Sequence, residues 1–319
     1  MFGDIYEDVI SNIFQSKLRH HFEDILDYID IFNMNHIFLT YGDAGFESAK
    51  AKIVKEARLT GEFNEIYSYG RSDLSPELLA SDVINIKRGG GLWSWKPDII
   101  LSTIESHQEG DIIVYCDAGC SLYTSSEWSN IWLLLEKYEL IAQRIYQRTD
   151  HWTKKELLDA FAKTNGKYWP MLYQFQATII LKVSDFTRDF IREWRDLIIF
   201  HPEWVVDVLP EERFLQHSSF KESRHDQSIY SALVYKYLSN NRTKHKIYAK
   251  WEHIEDYDFF EKQAIRATRL RGGEYESKKH IYKKIFKRVV KDFLLKPFYF
   301  APKQLFYQKK NLSYLKKTK

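Results

Sequence analysis

The chain is short of cysteine, of long apolar runs and of an export signal, and each shortage removes a class of protein. Cys116 and Cys120 are its only cysteines in 319 residues, too few for the disulfide framework of a small stapled fold. No apolar stretch approaches the ~20 residues a membrane-crossing helix needs. The opening Met1-Phe-Gly-Asp-Ile-Tyr-Glu has neither the basic start nor the apolar stretch of a signal peptide. A P-loop is missing too: the Gly-x-x-x-x-Gly-Lys-Ser/Thr order occurs nowhere, and Gly42-Asp-Ala-Gly45 matches a phosphate cradle poorly. A cytoplasmic protein that holds its ligands by other means is what these absences leave.

What is present is a globular composition, with 44 % hydrophobic and 29 % charged residues. Aromatics reach 16 %, serving packing, sugar stacking and interface anchoring alike. The net charge of +3 is unevenly spread. From Lys278 to Lys319 there are 14 Lys and Arg against one acid, Asp292, so an acidic body carries a basic tail. An acidic body argues against nucleic acid as partner, because a broad phosphate-binding surface is basic.

Read in order, residues 4–32 have the apolar spacing of a helical leader. His36–Tyr41 is a buried-type strand, 46–60 a helix stopped by Gly61, and Glu65–Tyr69 a second strand. Such a βαβ unit implies a parallel sheet, and Thr40, Tyr41 and Gly42 in its first turn would face a nucleotide. Then comes the most unusual stretch, Arg88-Gly-Gly-Gly-Leu-Trp-Ser-Trp-Lys-Pro97, with a helix following to Ser106. Lys96 beside a helix start can meet a phosphate, and Arg88, Trp93 and Trp95 would complete that wall. The plainer reading is a glycine turn packed by two tryptophans.

A strand over 111–115 stops abruptly at Asp117-Ala-Gly-Cys120. An acid at the carboxyl end of a buried strand stands where open α/β sheets bind ligands; Asp117 reads equally as a metal or ribose ligand or as a cap. Beyond it, the pattern predicts a helix from Ser125/Ser126 to Tyr138, a strand over 140–146, and a helix over 154–162 capped by Thr153. One strand entering the core through Tyr168–Lys182 would carry Gln174 and Gln176 on one face. A helix is expected over 185–200, and 201–221 is a candidate lid. Arg224-His-Asp-Gln-Ser228 opens a further helix, putting His225, Asp226 and Gln227 at its mouth. A last strand is expected over 245–251, followed by the basic loop of Arg266, Arg269 and Arg271. From Lys278 on, an apolar stripe with lysines opposite it fits either membrane contact or docking on the chain's own domain.

In this order and spacing, the Ile-Phe-Leu-Thr-Tyr-Gly-Asp opening, the glycine–tryptophan stretch, Ile-Val-Tyr-Cys-Asp-Ala-Gly-Cys, Tyr-Gln-Phe-Gln-Ala and Arg-His-Asp-Gln-Ser resemble bacterial GT-A-fold glycosyltransferases of surface-polysaccharide (capsule and O-antigen) biosynthesis. The resemblance runs from about His36 to about Gly273. It implies an α/β fold with a Rossmann-type, mixed and mainly parallel sheet over 36–277, between a helical leader (1–35) and an amphipathic basic tail (278–319). It also implies transfer of a sugar from a nucleotide-diphosphate donor to a hydroxyl of a glycan acceptor, including lipid-linked ones. Catalytic roles fall on Asp226, Gln227 and His225. Donor binding falls on Thr40, Tyr41, Gly42, Arg88, Trp93, Trp95, Lys96, Asp117, Ala118, Gly119, Gln174, Gln176, Arg269 and Arg271. A divalent cation, Mn²⁺ or Mg²⁺, would neutralise the departing diphosphate. Asp117 matches the first acid of the family's Asp-x-Asp metal motif, while Gly119 replaces the second. The site would lie on the cytoplasmic face of the cell membrane, reached through the tail. Two other classes fit the same residues: a nucleotidyltransferase or sugar-nucleotide hydrolase, and a non-enzymatic membrane- or nucleic-acid-binding module.

Overall fold

A computed structural model describes residues 34–249 and 263–268. The leader up to residue 33, Arg269, Arg271, the tail and the end of the expected last strand lie outside the described residues. Everything below belongs to the unit that begins at His36.

Strand β1 (His36–Tyr41) is followed by a single 3₁₀ turn and helix α1 (Glu47–Thr60). The helix ends because Gly61 takes a left-handed φ of 73°, which glycine adopts without steric cost. Strand β2 (Glu65–Tyr69) returns parallel to β1, with Ile37 opposite Glu65 and Tyr41 opposite Tyr69. Helix α2 (Trp95–Glu105) then feeds β3 (Ile112–Tyr115), which lies parallel on the other side of β1. Ile37, Phe38, Leu39 and Ile113–Tyr115 have no exposed surface. Each fully buried aliphatic or aromatic side chain stabilises by about 1.5–3 kcal/mol, so this parallel trio is the firm part of the scaffold.

The remaining strands depart from the sequence pattern. The run over 140–146 is two strands in two sheets: β5 (Leu140–Ile141) joins the central sheet, and β6 (Arg144–Arg148) leaves it. Both follow α3 (Glu127–Lys137), whose start Ser125 supports by accepting the Glu127 N–H. The run over 168–182 also breaks. β7 (Tyr173–Phe175) pairs with β6, the chain turns at Gln176–Thr178, and β8 (Ile179–Lys182) enters the central sheet antiparallel to both β3 and β5. The central order is β2-β1-β3-β8-β5-β9, with β9 at Ile247–Tyr248. It is a mixed, mainly parallel sheet between helices.

Helix α4 (Asp185–Phe200) starts at a capping box in which Ser184 and Thr187 satisfy each other's backbone N–H. It buries Phe186, Phe190, Ile191 and Trp194 against α2 and α5 (His225–Ser239). Thr153 does not cap the next short helix, Lys155–Ala160, as its position implies; its hydroxyl faces inward and accepts from Gln174. Two short strands carry no signal in the sequence. β4 (Ser121–Leu122) pairs antiparallel with β10 (Ile265–Arg266), so the stretch expected to be a basic loop begins as a strand. That pairing brings Thr268 onto the Asp117–Cys120 turn, where its hydroxyl donates to the Gly119 carbonyl at 2.9 Å.

Candidate functional site

The carboxyl ends of β1, β2 and β3 all open on one edge of the sheet. The glycine turn lies against that edge. Gly89, Gly90, Gly91, Leu92 and Trp93 have successive φ values of 59°, 58°, 102°, 53° and 60°. Leu92 N and Trp93 N donate to Arg88 O and Gly89 O at 2.8 and 3.3 Å, four residues back. This is one turn of left-handed helix, a conformation costing L-residues roughly 1–2 kcal/mol each. Three glycines remove most of that cost. A side chain at Gly91 would in addition meet the Ile84 backbone at 2.8 Å. Trp95 fixes the turn by donating from its indole to Gly89 O at 3.0 Å, and stacks on Tyr41 with ring centroids 4.0 Å apart.

The turn delivers Lys96 to the first turn of α2, under the sheet edge and only 4 % exposed. Its ammonium lies 3.1 Å from Asp226 Oδ2, at the mouth of α5, and 3.4 Å from Asp117 Oδ1, just past β3. The Tyr115 hydroxyl donates to the same Asp117 oxygen at 2.5 Å. The side chain of Asp117 is 52 % exposed and that of Asp226 only 5 %. Three charges from three elements thus meet at one point. Burial works against the charge on Lys96, but two carboxylates outweigh it and its pKa lies above the ordinary value. At Asp226 burial prevails over the attraction of Lys96, and with Asp117 adding its own negative charge the pKa is pushed up to about 6. The contact from Lys96 to Asp226 Oδ2 is a close ion pair without the angle of a good hydrogen bond.

Around this centre the expected site residues divide. Lys96, Asp117 and Asp226 converge, as do Trp93 and His225, whose rings stack at 5.4 Å. His225 is buried, with Nδ1 at 2.6 Å from Val205 O and Nε2 at 3.6 Å from Asp207. Desolvation lowers its pKa, so the ring is a neutral, fixed wall. Arg88 is exposed and bridges to Asp207 at 2.9 Å and to Glu222, tying the turn to the segment before α5. Thr40 and Gln174, expected at the ligand, have no exposed surface. The Thr40 hydroxyl donates to Cys116 O at 3.0 Å and so braces the Asp117 turn from below. The Gln174 amide donates to Trp152 O, Thr153 Oγ1 and Ser228 Oγ and accepts from Gln227 at 2.8 Å. Gln176 does not share a strand face with Gln174, because β7 has ended; its own N–H donates to Gln143 O. Tyr41, Gly42 and Ala118 are buried as packing at the edge, while Gly119 is partly exposed.

Two groups went unread in the sequence. Tyr115 is hidden inside an apolar strand, and nothing in the pattern marks its hydroxyl as the partner of Asp117. Trp152 lies under the Arg224 guanidinium at 4.4 Å and the Lys221 ammonium at 5.9 Å, and nearby Arg148 grips the buried Asp150. Arg224 N also donates to Trp152 O at 3.0 Å, knitting this cluster to the mouth of α5.

The residues present fit a divalent ion poorly. Asp117 Oδ1 already receives Tyr115 and faces Lys96, Gly119 stands where a second acid would be, and its carbonyl is taken by Thr268. Among the described residues no group of three His, Cys, Asp or Glu is placed to hold a metal. A doubly charged ion on Asp117 would have to compete with the Lys96 ammonium, which already lies 3.4 Å from Asp117 Oδ1.

No protein-family model matches the chain, and no curated protein matches it. Among solved structures, it is similar to the crystal structure of the galactosyltransferase LgtC in complex with donor and acceptor sugar analogs. That match has 17 % identity and a TM-score of 0.31, over 62 % of this chain and 70 % of the other. An active-site mutant of LgtC matches at 15 % identity and a TM-score of 0.31, over 62 % of this chain and 69 % of the other. No helix among the described residues is long and apolar enough to cross a membrane.

Proposed function

We propose that the chain is a glycosyltransferase that moves a sugar from a nucleotide-diphosphate donor to a glycan hydroxyl. The observation that carries this reading is the Lys96 ammonium held between Asp117 and Asp226 at the carboxyl edge of β1 and β3, where sheets of this type receive nucleotides. Sugar transfer from such a donor has two needs that these groups meet. The departing diphosphate gathers negative charge, and a preorganised cation in a water-poor site stabilises it without reorganising. The acceptor hydroxyl must lose a proton, and a carboxylate whose pKa is about 6 lies close to the working pH of such a base.

Other residues hold the geometry. Asp117, half exposed and oriented by Tyr115, offers its remaining oxygen to donor hydroxyls. Trp93, partly exposed and stacked on the buried His225, is the aromatic group of this pair available to a sugar. The acceptor would be a glycan of bacterial surface polysaccharide, including lipid-linked forms. The basic tail of 278–319 would bring the enzyme to the cytoplasmic face of the membrane. A divalent ion would have Asp117 as its ligand, and no step above depends on one.

The test is release of free sugar and nucleoside diphosphate from a panel of nucleotide-diphosphate sugars, with glycan acceptors added in turn. Turnover of one donor should fall by about 10²–10⁴ in Asp226→Asn, the range for loss of a general base. Undiminished turnover in that variant removes Asp226 from the chemistry and the proposal with it.

A further inference from the structure

The place in the fold where a metal would be expected already holds a cation. Lys96 reaches it through an unusual route: a left-handed turn of five residues, three of them glycine, followed at once by the start of α2. The ammonium is enclosed by two rings, with Tyr115 at 5.5 Å and Trp95 at 5.9 Å from its nitrogen. It is closer to Asp226 than to Asp117, and the two carboxylates differ sharply in freedom. Asp226 is buried and fixed by its helix, and its own carbonyl accepts from the Trp194 indole at 3.0 Å. Asp117 is half exposed on a turn, with Tyr115 and Lys96 both on its Oδ1.

We infer that the donor diphosphate binds here without a divalent ion, the Lys96 ammonium taking the metal's place. This inference rests on the nucleotide-sugar reading above and narrows it. The trio alone carries one excess negative charge, so Lys96 is available to a phosphate only after Asp117 turns aside. Its exposed oxygen finds new partners in ribose or sugar hydroxyls, which donate to a carboxylate. Lys96, still held by Asp226, then faces the diphosphate. A lysine suits this task, because its ammonium acts on phosphate as a compact point charge and needs no forked geometry. Gly119 allows the exchange: an acid there would add a second negative charge beside the arriving phosphates.

The experiment is titration calorimetry of the full chain with UDP, GDP, ADP, CDP and dTDP, in EDTA and again in Mn²⁺ or Mg²⁺. At least one nucleotide should bind in EDTA, with an affinity changed less than about threefold by the metal. Lys96→Met should weaken that binding by about tenfold or more, and Lys96→Arg should recover part of it. Because Lys96→Met strands Asp226 in the interior, the Lys96→Met/Asp226→Asn double variant is measured beside it; removing both charges restores the balance. A folded double variant that binds nucleotide as tightly as the wild type overturns the inference. So does binding that appears only with metal, although the donor reading then survives. Absence of nucleotide binding in every buffer overturns both.

Discussion

Between Gly89 and Trp93 five successive residues hold positive φ, whereas at the mouth of α5 His225 alone does, at 46°. These segments are the two sides of the same site, joined by the stacking of Trp93 on His225 and by Lys96 on Asp226. The turn is built from backbone. Its hydrogen bonds run from N–H to carbonyl within 86–96, and at Gly89 and Gly91 an added side chain would meet other atoms at 2.6 and 2.7 Å. The helix mouth is built from side chains, with Gln174, Gln227, Ser228 and Thr153 bonded in a chain behind it. A substitution in the turn should therefore act on the fold, and one at the mouth on the chemistry.

The largest effect should come from Gly91→Ala. At φ of 102° an added side chain is strained, and the Ile84 backbone at 2.8 Å cannot yield as a flexible side chain would. Strain and overpacking together predict a loss of about 4 kcal/mol in urea unfolding. A loss below about 1 kcal/mol would mean that the turn relaxes and is no rigid wall. The mouth should respond differently. Asp226 has its folded pKa raised from an ordinary 3.8 to about 6 by burial. It contributes stability that is fully present below 3.8 and lost as pH rises through about 6. Relative to Asp226→Asn, the wild type should therefore gain roughly 1–1.5 kcal/mol between pH 7.5 and pH 5. An unchanged difference across that range would show that Asp226 is not desolvated as described. Smallest of all is Arg88→Ala. Its bonds to Asp207 and Glu222 join the two sides, but they are exposed, and such pairs contribute about 0–1 kcal/mol. A larger loss on chemical unfolding would make the two sides one cooperative unit.

Much of the parallel half was legible because its signals are local. β1, α1, β2 and β3 each announce themselves by an apolar run and a glycine or polar stop, and these matched within a residue or two. The other half was not. The runs over 140–146 and 168–182 each read as one strand, and the polar residues inside them, Gln143 and Arg144 in the first and Gln174 and Gln176 in the second, do not by themselves say where a chain leaves one sheet for another. Thr153 looked like a cap because a hydroxyl before a helix usually is one; a buried amide 21 positions on claimed it instead. Within the site, residue types pointed to Lys96, Asp117 and Asp226 one by one. Their meeting depends on three elements far apart in sequence, as does the exclusion of Thr40 and Gln174 from the surface. The glycines of 89–91 were legible as unusual, but their purpose, a left-handed turn aimed at Lys96, is visible only in the dihedral angles.

The central claim is that Asp117, Lys96 and Asp226 form the donor end of a transferase site. A thermal-shift panel of nucleoside diphosphates and their sugars, run on the wild type and on Asp117→Ala, tests it most directly, because a ligand that binds the folded state raises the melting temperature by mass action. At least one nucleotide should raise the wild-type melting temperature, and that rise should be lost or sharply reduced in Asp117→Ala. A panel in which no nucleotide moves the wild type, or in which the same rise persists in the variant, would contradict the account.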